Sequence, residues 1–266
     1  MTTKIERLKE SLSKIEFYQR FPIMIPFIGD YYLSDQHKKM LLVGESFYFP
    51  NASTIHKDAA KWYNSKQEDL GVVIENGEKV EEKDWINCNA LLRCDWKSKG
   101  HKIYKELNKW IGKTDLNFDG KKPIEQIAFT NFFIRPAKKG LSIAKYKKDE
   151  RIIDVEKSNQ VFKCVLKVLQ PDIVAFVSKF AYQNVDKQTF TAVQNIEEDY
   201  VCHPCSICWN CDDCQHNRYY FEQILNEKFV NNTIYIFKMD YIIQKNNHNR
   251  KSVLLHPLSG LRLLFL

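Results

Sequence analysis

The sequence predicts an α/β fold, a three-layer α/β/α sandwich on a central, mainly parallel four-stranded sheet. Three observations carry that prediction. Short runs of consecutive apolar residues, Met40 to Val43, Ile127 to Asn131 and Ile173 to Val177, read as strands buried on both faces, the habit of parallel strands covered by helices. The stretches between and after them place apolar residues at helical spacing. Strands and helices alternate, the order that crossover connections turn into a parallel sheet.

The elements follow in order. Ile5, Leu8, Leu12, Ile15 and Tyr18 mark an amphipathic N-terminal helix. A proline-containing stretch, Phe21 to Ile28, separates it from the first strand, which is expected to end where Val43 gives way to Gly44-Glu45-Ser46. Val72-Val73-Ile74 and the turn dipeptide Asn76-Gly77 predict a hairpin. His101 to Ile111 is a helix with Tyr104, Leu107, Trp110 and Ile111 inward. After the second strand, Ser158 is the expected N-cap of a helix that buries Val161, Val165, Val168 and Leu169 and stops at Pro171. The fourth and shortest strand is expected at Tyr200-Val201-Cys202, running into His203-Pro204, with a last helix over Arg218 to Val230. Ile234 to Phe237 reads as an added strand and Val253 to Leu266 as an apolar tail packed on the core. The whole, residues 1–266, reads as one domain with its core at about 39–230 and an extension at 231–266.

Composition agrees. A chain of 266 residues with 44% hydrophobic and 13% aromatic residues supports a packed core rather than disorder. No apolar run approaches the roughly 18–20 residues that span a bilayer, and no secretory pattern opens the chain, so no membrane partner and a cytoplasmic location are expected. The net charge of +7, from 40 Lys and Arg against 33 Asp and Glu, is a modest excess. Its clusters at Lys138-Lys139, Lys145 to Lys148 and Asn246 to Lys251 are either solvated loops or a phosphate-facing patch. Nothing points to a protein partner.

Ligands of parallel α/β sheets bind beyond the carboxyl ends of the strands. Those ends supply Gly44 to Pro50, Thr130 to Pro136, Ser178 to Tyr182 and His203 to Ser206. One carboxylate, one carboxamide, one imidazole and several aromatics therefore converge. Singly, Glu45 reads equally well as a surface carboxylate, Asn131 as a strand terminator, His203 as a buried histidine and Phe47 as core. Their appearance at equivalent positions on separate strands favours a site.

Gly44-Glu45-Ser46-Phe47-Tyr48, Phe129-Thr130-Asn131-Phe132, Pro171 to Phe176 and His203-Pro204-Cys205-Ser206, in this order, resemble the uracil-DNA glycosylase superfamily. The resemblance spans roughly Lys39 to Val230; the ordered set is more specific than any single motif. It implies hydrolysis of the N-glycosidic bond of uracil or another damaged base flipped out of DNA, with no cofactor required for catalysis. It implies that Glu45 stabilises the oxocarbenium-like transition state and positions water, and that His203 bonds the departing base oxygen. Asn131 would read the polar edge of the base, Gly44 would line the pocket, and Phe47 or Tyr48 would stack on it. Ser46 and Ser206 would meet DNA. In the best-known branch the catalytic Asp falls where Ser46 stands, the motif proline where Phe47 stands and the motif histidine where Phe49 stands; His-Pro-Ser becomes His203-Pro204-Cys205. The competing functions are a nucleic-acid-binding module without hydrolysis and a hydrolase or binder of small nucleotides on the same scaffold.

Cys205, Cys208, Cys211 and Cys214 recur every third residue, with Cys202, His203 and His216 close by. Eight cysteines without a secretory pattern argue against a disulfide framework. The cluster at 202–216 reads either as free thiols or as ligands of zinc or an iron–sulfur cluster, and the second reading requires a loop, because residues three apart on a helix drift around its axis.

Overall fold

A computed structural model describes residues 3–97, 101–193 and 196–230, with the side chains of 192 and 193 excepted. The chain opens with α1 (Lys4–Ser13), where Thr3 Oγ1 accepts from the Glu6 amide at 3.1 Å while the Glu6 carboxylate accepts from the Thr3 amide, a reciprocal cap. A break at Lys14-Ile15 starts α2 (Glu16–Arg20), so the predicted helix exists in two pieces. Then come β1 (Phe27–Ile28), β2 (Met40–Phe49), α3 (Ala59–Asn64), the hairpin strands β3 (Val72–Glu75) and β4 (Glu78–Glu81), and α4 (Cys88–Arg93). Asn76 and Gly77, with φ of 52° and 85°, turn that hairpin as their sequence predicts. The remaining elements are α5 (Lys102–Ile111), β5 (Ala128–Lys138), α6 (Lys148–Leu169), β6 (Ile173–Phe176), α7 (Lys179–Asn184), α8 (Gln188–Val193), β7 (Glu197–Tyr200), α9 (Ile207–Asn210) and α10 (Arg218–Gln223).

The fold is α/β. The main sheet has five strands in the order β1-β5-β2-β6-β7, one more than expected, because β1 pairs antiparallel with β5. The other pairings are parallel, and β2, β5 and β6 are buried along most of their length, which explains their continuous apolar runs. Phe162 of α6 packs edge-on against Phe132 of β5, and Tyr104 of α5 meets Phe129 at 5.5 Å. Phe129 and Phe132, an odd number of positions apart on one strand, leave the sheet on opposite faces.

Three boundaries differ from the sequence prediction. β2 does not end at Val43 but runs to Phe49, alongside a β5 that reaches Lys138. The pair stays in register to Ser46↔Phe133 and resumes at Tyr48↔Ala137, leaving Pro136 in the irregular segment where its missing N–H disturbs no ladder bond. Ser158 is not an N-cap: α6 begins ten residues earlier, at Lys148, and Ser158 is buried inside it, its Oγ accepting from the Ile134 amide at 3.4 Å. The helix does stop as expected, at Gln170 with φ of 45°, ahead of Pro171. The last strand lies at Glu197–Tyr200, so Val201 to His203 follow the strand rather than form it. The last helix passes from α10 into a wider π-helical turn over Ile224–Phe229. The expected strand at 234–237 and the apolar tail lie outside the described residues.

Beneath α6, a buried ion pair ties the helix to the sheet. Arg135 Nε and Nη2 meet the two carboxylate oxygens of Asp154 at 2.8 and 2.6 Å, with both residues fully buried. Its Nη1 donates to the His56 carbonyl at 3.0 Å and to Glu150 at 3.1 Å, and the Tyr63 hydroxyl donates to Asp154 at 2.8 Å. Each charge is thus met by opposite charge and by hydrogen bonds, the condition under which burial is tolerable. Among the described residues no helix is long and apolar enough to cross a membrane.

Candidate functional site

The site follows from an asymmetry of β2. Its pairing with β6 ends at Val43↔Phe176, closed by the Val177 amide on the Val43 carbonyl at 2.8 Å, whereas its pairing with β5 continues. From Gly44 onward β2 therefore has one unpaired flank, beside the carboxyl end of β6.

At that point Gly44 lies in register with Asn131. A Cβ on Gly44 would fall 2.2 Å from Asn131 Oδ1 and 3.1 Å from Phe129 Cζ, so the asparagine side chain lies across the glycine backbone and a larger residue at 44 would have to displace it. Asn131 is 7% exposed, and its amide has no hydrogen-bond partner among the described residues. Neither amide atom is sealed from solvent without a partner, as Ser46 Oγ is. The carboxamide therefore offers one donor and one acceptor edge to whatever enters.

Tyr48 is 38% exposed. Its phenol is pushed up to about 12, first by burial and then by the neighbouring Glu45 carboxylate and Cys205 thiol, so it remains a neutral donor. The same neighbours locate it: Tyr48 lies between the end of β2 and the loop after β7. In that loop the Cys205 amide donates to His203 Nδ1 at 3.1 Å. Nδ1 must then be bare, which puts the ring proton on Nε2, and Nε2 has no partner among the described residues. Burial holds the imidazole below its ordinary pKa, in its neutral form. Cys205 itself faces the start of α5, near Lys102, Glu106 and the Ile103 backbone.

Glu45 is placed differently. Side chains alternate along a strand, so Glu45 leaves the sheet on the face opposite Gly44 and Asn131. One carboxylate oxygen accepts from the Ser142 hydroxyl and from the Ile143 amide at 3.1 Å; the other accepts from Ser178 Oγ at 3.2 Å. Ser142 belongs to the basic loop after β5, and Ser178 caps α7 by accepting from the Ala181 amide at 3.3 Å. The carboxylate thus fastens that loop and the start of α7 to β2. Ser142 carries no sequence signal of this role, since only folding brings it to β2; Ser178 was visible as a strand-end residue but not as a partner of Glu45.

The remaining expected site residues are distributed as follows. Phe47 is 5% exposed in the core, which leaves Tyr48 as the aromatic at the surface. Ser46 Oγ is buried without a partner among the described residues. Ser206 caps α9, its Oγ accepting from the Trp209 amide at 3.3 Å. The structure therefore brings Gly44 and Asn131 together, sets Tyr48 near both Glu45 and the loop of His203 and Cys205, and ties Glu45 to Ser142, Ile143 and Ser178. Among the described residues no group of three or more His, Cys, Asp or Glu side chains is arranged to hold a metal ion as it stands.

Compared with known proteins, the chain matches no family model, and no curated protein matches it.

Proposed function

We propose that the protein reads a nucleobase turned out of DNA, in the manner of the uracil-DNA glycosylases, and hydrolyses its N-glycosidic bond. The observation that carries this reading is the Asn131 amide: nine-tenths buried, laid across Gly44, not sealed from solvent and without a hydrogen-bond partner among the described residues. A carboxamide so placed matches the adjacent donor and acceptor of a pyrimidine edge, and a side chain left unpaired by a missing partner discriminates strongly between bases. His203 completes it. Its neutral ring presents Nε2–H to the base oxygen on which charge gathers as the glycosidic bond breaks. Tyr48 supplies the exposed ring for stacking, within a three-layer α/β/α scaffold.

Glu45, with both oxygens occupied on the opposite face, acts here through its fixed negative charge and by holding the basic loop. The rate then rests chiefly on stabilisation of the departing base. The test is incubation with single- and double-stranded oligonucleotides bearing uracil or other altered bases, followed by alkali cleavage at abasic sites. Cleavage should fall by about 10²–10³ in His203→Ala, the usual cost of one oxyanion donor, and by a similar factor in Asn131→Ala. Glu45→Gln, which retains an acceptor for Ser142, should lose less than either. Failure to cleave any altered base would overturn the hydrolase.

A second reading has its own observation: Ser46 stands where the best-known glycosylases carry their catalytic Asp, and its hydroxyl is sealed off. Salt-sensitive DNA binding with no cleavage would favour a base-reading module that does not cut.

A further inference from the structure

The cysteine-rich segment after β7 contains a grouping that spacing alone misassigns. Counting every third residue selects Cys205, Cys208, Cys211 and Cys214. In the folded chain Cys205 turns toward α5, with Lys102, Glu106 and the Ile103 backbone as its neighbours. Cys202 takes its place: it lies beside Cys208, with Cys211 also near, while Cys214 lies beside both Cys208 and Cys211.

The backbone explains this convergence. The Cys202 amide donates to the His216 carbonyl at 2.6 Å, which brings the start of the segment against its end. Between them the chain turns three times in succession: the amides of Cys211, Cys214 and Asn217 donate to the carbonyls of Cys208, Cys211 and Cys214 at 3.3, 3.2 and 3.2 Å. Asn217, 5% exposed, locks the turns by donating from Nδ2 to the Cys211 carbonyl at 2.9 Å. Only Ile207–Asn210 is helical, so the thiols escape the rotation that a continuous helix would impose.

We propose that Cys202, Cys208, Cys211 and Cys214 form a tetrathiolate site for a single tetrahedral soft metal ion, zinc above all, with Cys205 excluded. Four thiols crowded together repel one another once ionised, and a divalent cation at their centre reverses that cost by taking them as thiolates while their protons go to solvent. A zinc–sulfur bond of about 2.3 Å in a tetrahedron sets neighbouring sulfurs at about 3.8 Å. As they stand the side chains form no metal-holding group, but the successive turns and the Cys202–His216 backbone bond keep the four thiols within one short segment, from which they can close on one such ion by side-chain rotation. His216 takes no part: its ring stacks on Tyr200 at 4.0 Å, with Nδ1 on the Tyr200 carbonyl at 3.0 Å. Because Cys202 immediately precedes His203, the ion would fix the loop that presents the imidazole. The site itself does not depend on the proposed activity.

The test is metal analysis of the full chain, purified without chelator from cells supplied with zinc and iron, on the wild type and five single Cys→Ser variants. About one zinc per chain is expected in the wild type and in Cys205→Ser. Less than half of that is expected in the Cys202, Cys208, Cys211 and Cys214 variants. Cobalt titration of chelated wild type and Cys205→Ser should give the intense thiolate-to-cobalt absorption of a four-sulfur site in both, a readout that does not rely on the weaker variants folding. Metal-free wild type after zinc supply, iron with acid-labile sulfide, or loss of zinc in Cys205→Ser but not in Cys202→Ser would each overturn the proposal.

Discussion

At the scale of single residues, the contact between Gly44 and Asn131 is the tightest constraint on the site. Gly44→Ala places a methyl 2.2 Å from Asn131 Oδ1, so either the amide swings away or the strands part. Overpacking of this kind costs about 1–3 kcal/mol. Chemical denaturation should register that loss, and affinity for an altered base should fall with it; unchanged affinity would show that Asn131 does not read the base. His56 gives an independent prediction. It is fully buried, neither ring nitrogen has a partner among the described residues, and burial first, then the nearby cations Lys57, Arg135 and Lys138, lower its pKa from 6.5 to about 4. The unfolded chain therefore takes up this proton first as pH falls. The neutral ring's contribution is complete above about pH 6.5 and is lost on the way down to about pH 4, at most ~3 kcal/mol. His56→Phe removes the titrating group from a site where it already packs edge-on against Phe49 at 5.2 Å. Between pH 7 and pH 4.5 the variant should lose roughly 2 kcal/mol less stability than the wild type; parallel pH profiles would refute this account of His56.

At the scale of elements, the joint between α6 and β5 is a salt bridge rather than packing alone. Asp154→Ala strands the Arg135 guanidinium in the core, which costs about 3–5 kcal/mol and should lower Tm on the order of 10 °C. A drop of only a degree or two would mean that Arg135 finds water or Glu150 instead. The elements also show what the sequence could and could not convey. Buried strands announce themselves by composition, and so β6 and the first halves of β2 and β5 were legible, as was the Asn76-Gly77 turn. β7 was misplaced because Glu197-Glu198-Asp199 is a polar run on an edge strand, while the apolar Val201 that suggested a strand packs beyond it. The start of α6 was missed because Lys147, Lys148, Asp149 and Glu150 resemble a solvated loop, yet Asp149 and Glu150 suit the first turn of a helix. In the site, Gly44, Asn131, Tyr48 and His203 could be found because the sequence sets each near an expected strand end, although Gly44, Tyr48 and Asn131 lie inside strands that run further and only His203 follows one. The opposite facing of Glu45 and the exchange of Cys202 for Cys205 could not, since one depends on how far β2 continues and the other on a backbone bond between Cys202 and His216.

At the scale of the whole molecule, Glu45 joins the end of β2 to the basic loop after β5. Its bonds to Ser142 and Ile143 hold the segment that continues into Lys145, Lys147 and Lys148, none of which forms an ion pair among the described residues. In the proposed function these side chains meet DNA phosphates. Changing all three to alanine should lower affinity for any DNA sequence and reduce the slope of log K against log salt by roughly 2–3, near 0.9 for each phosphate no longer neutralised; an unchanged slope would place the DNA elsewhere. The most direct test of base reading is equilibrium binding at low salt to two oligonucleotides that differ only in carrying uracil or thymine at one position, compared between wild type and Asn131→Ala. The wild type should prefer one base by at least about tenfold, which is 1.4 kcal/mol, and Asn131→Ala should bind both alike at an unchanged Tm. A wild type indifferent to the base, or a preference that survives in Asn131→Ala, would contradict a nucleobase site at Gly44 and Asn131.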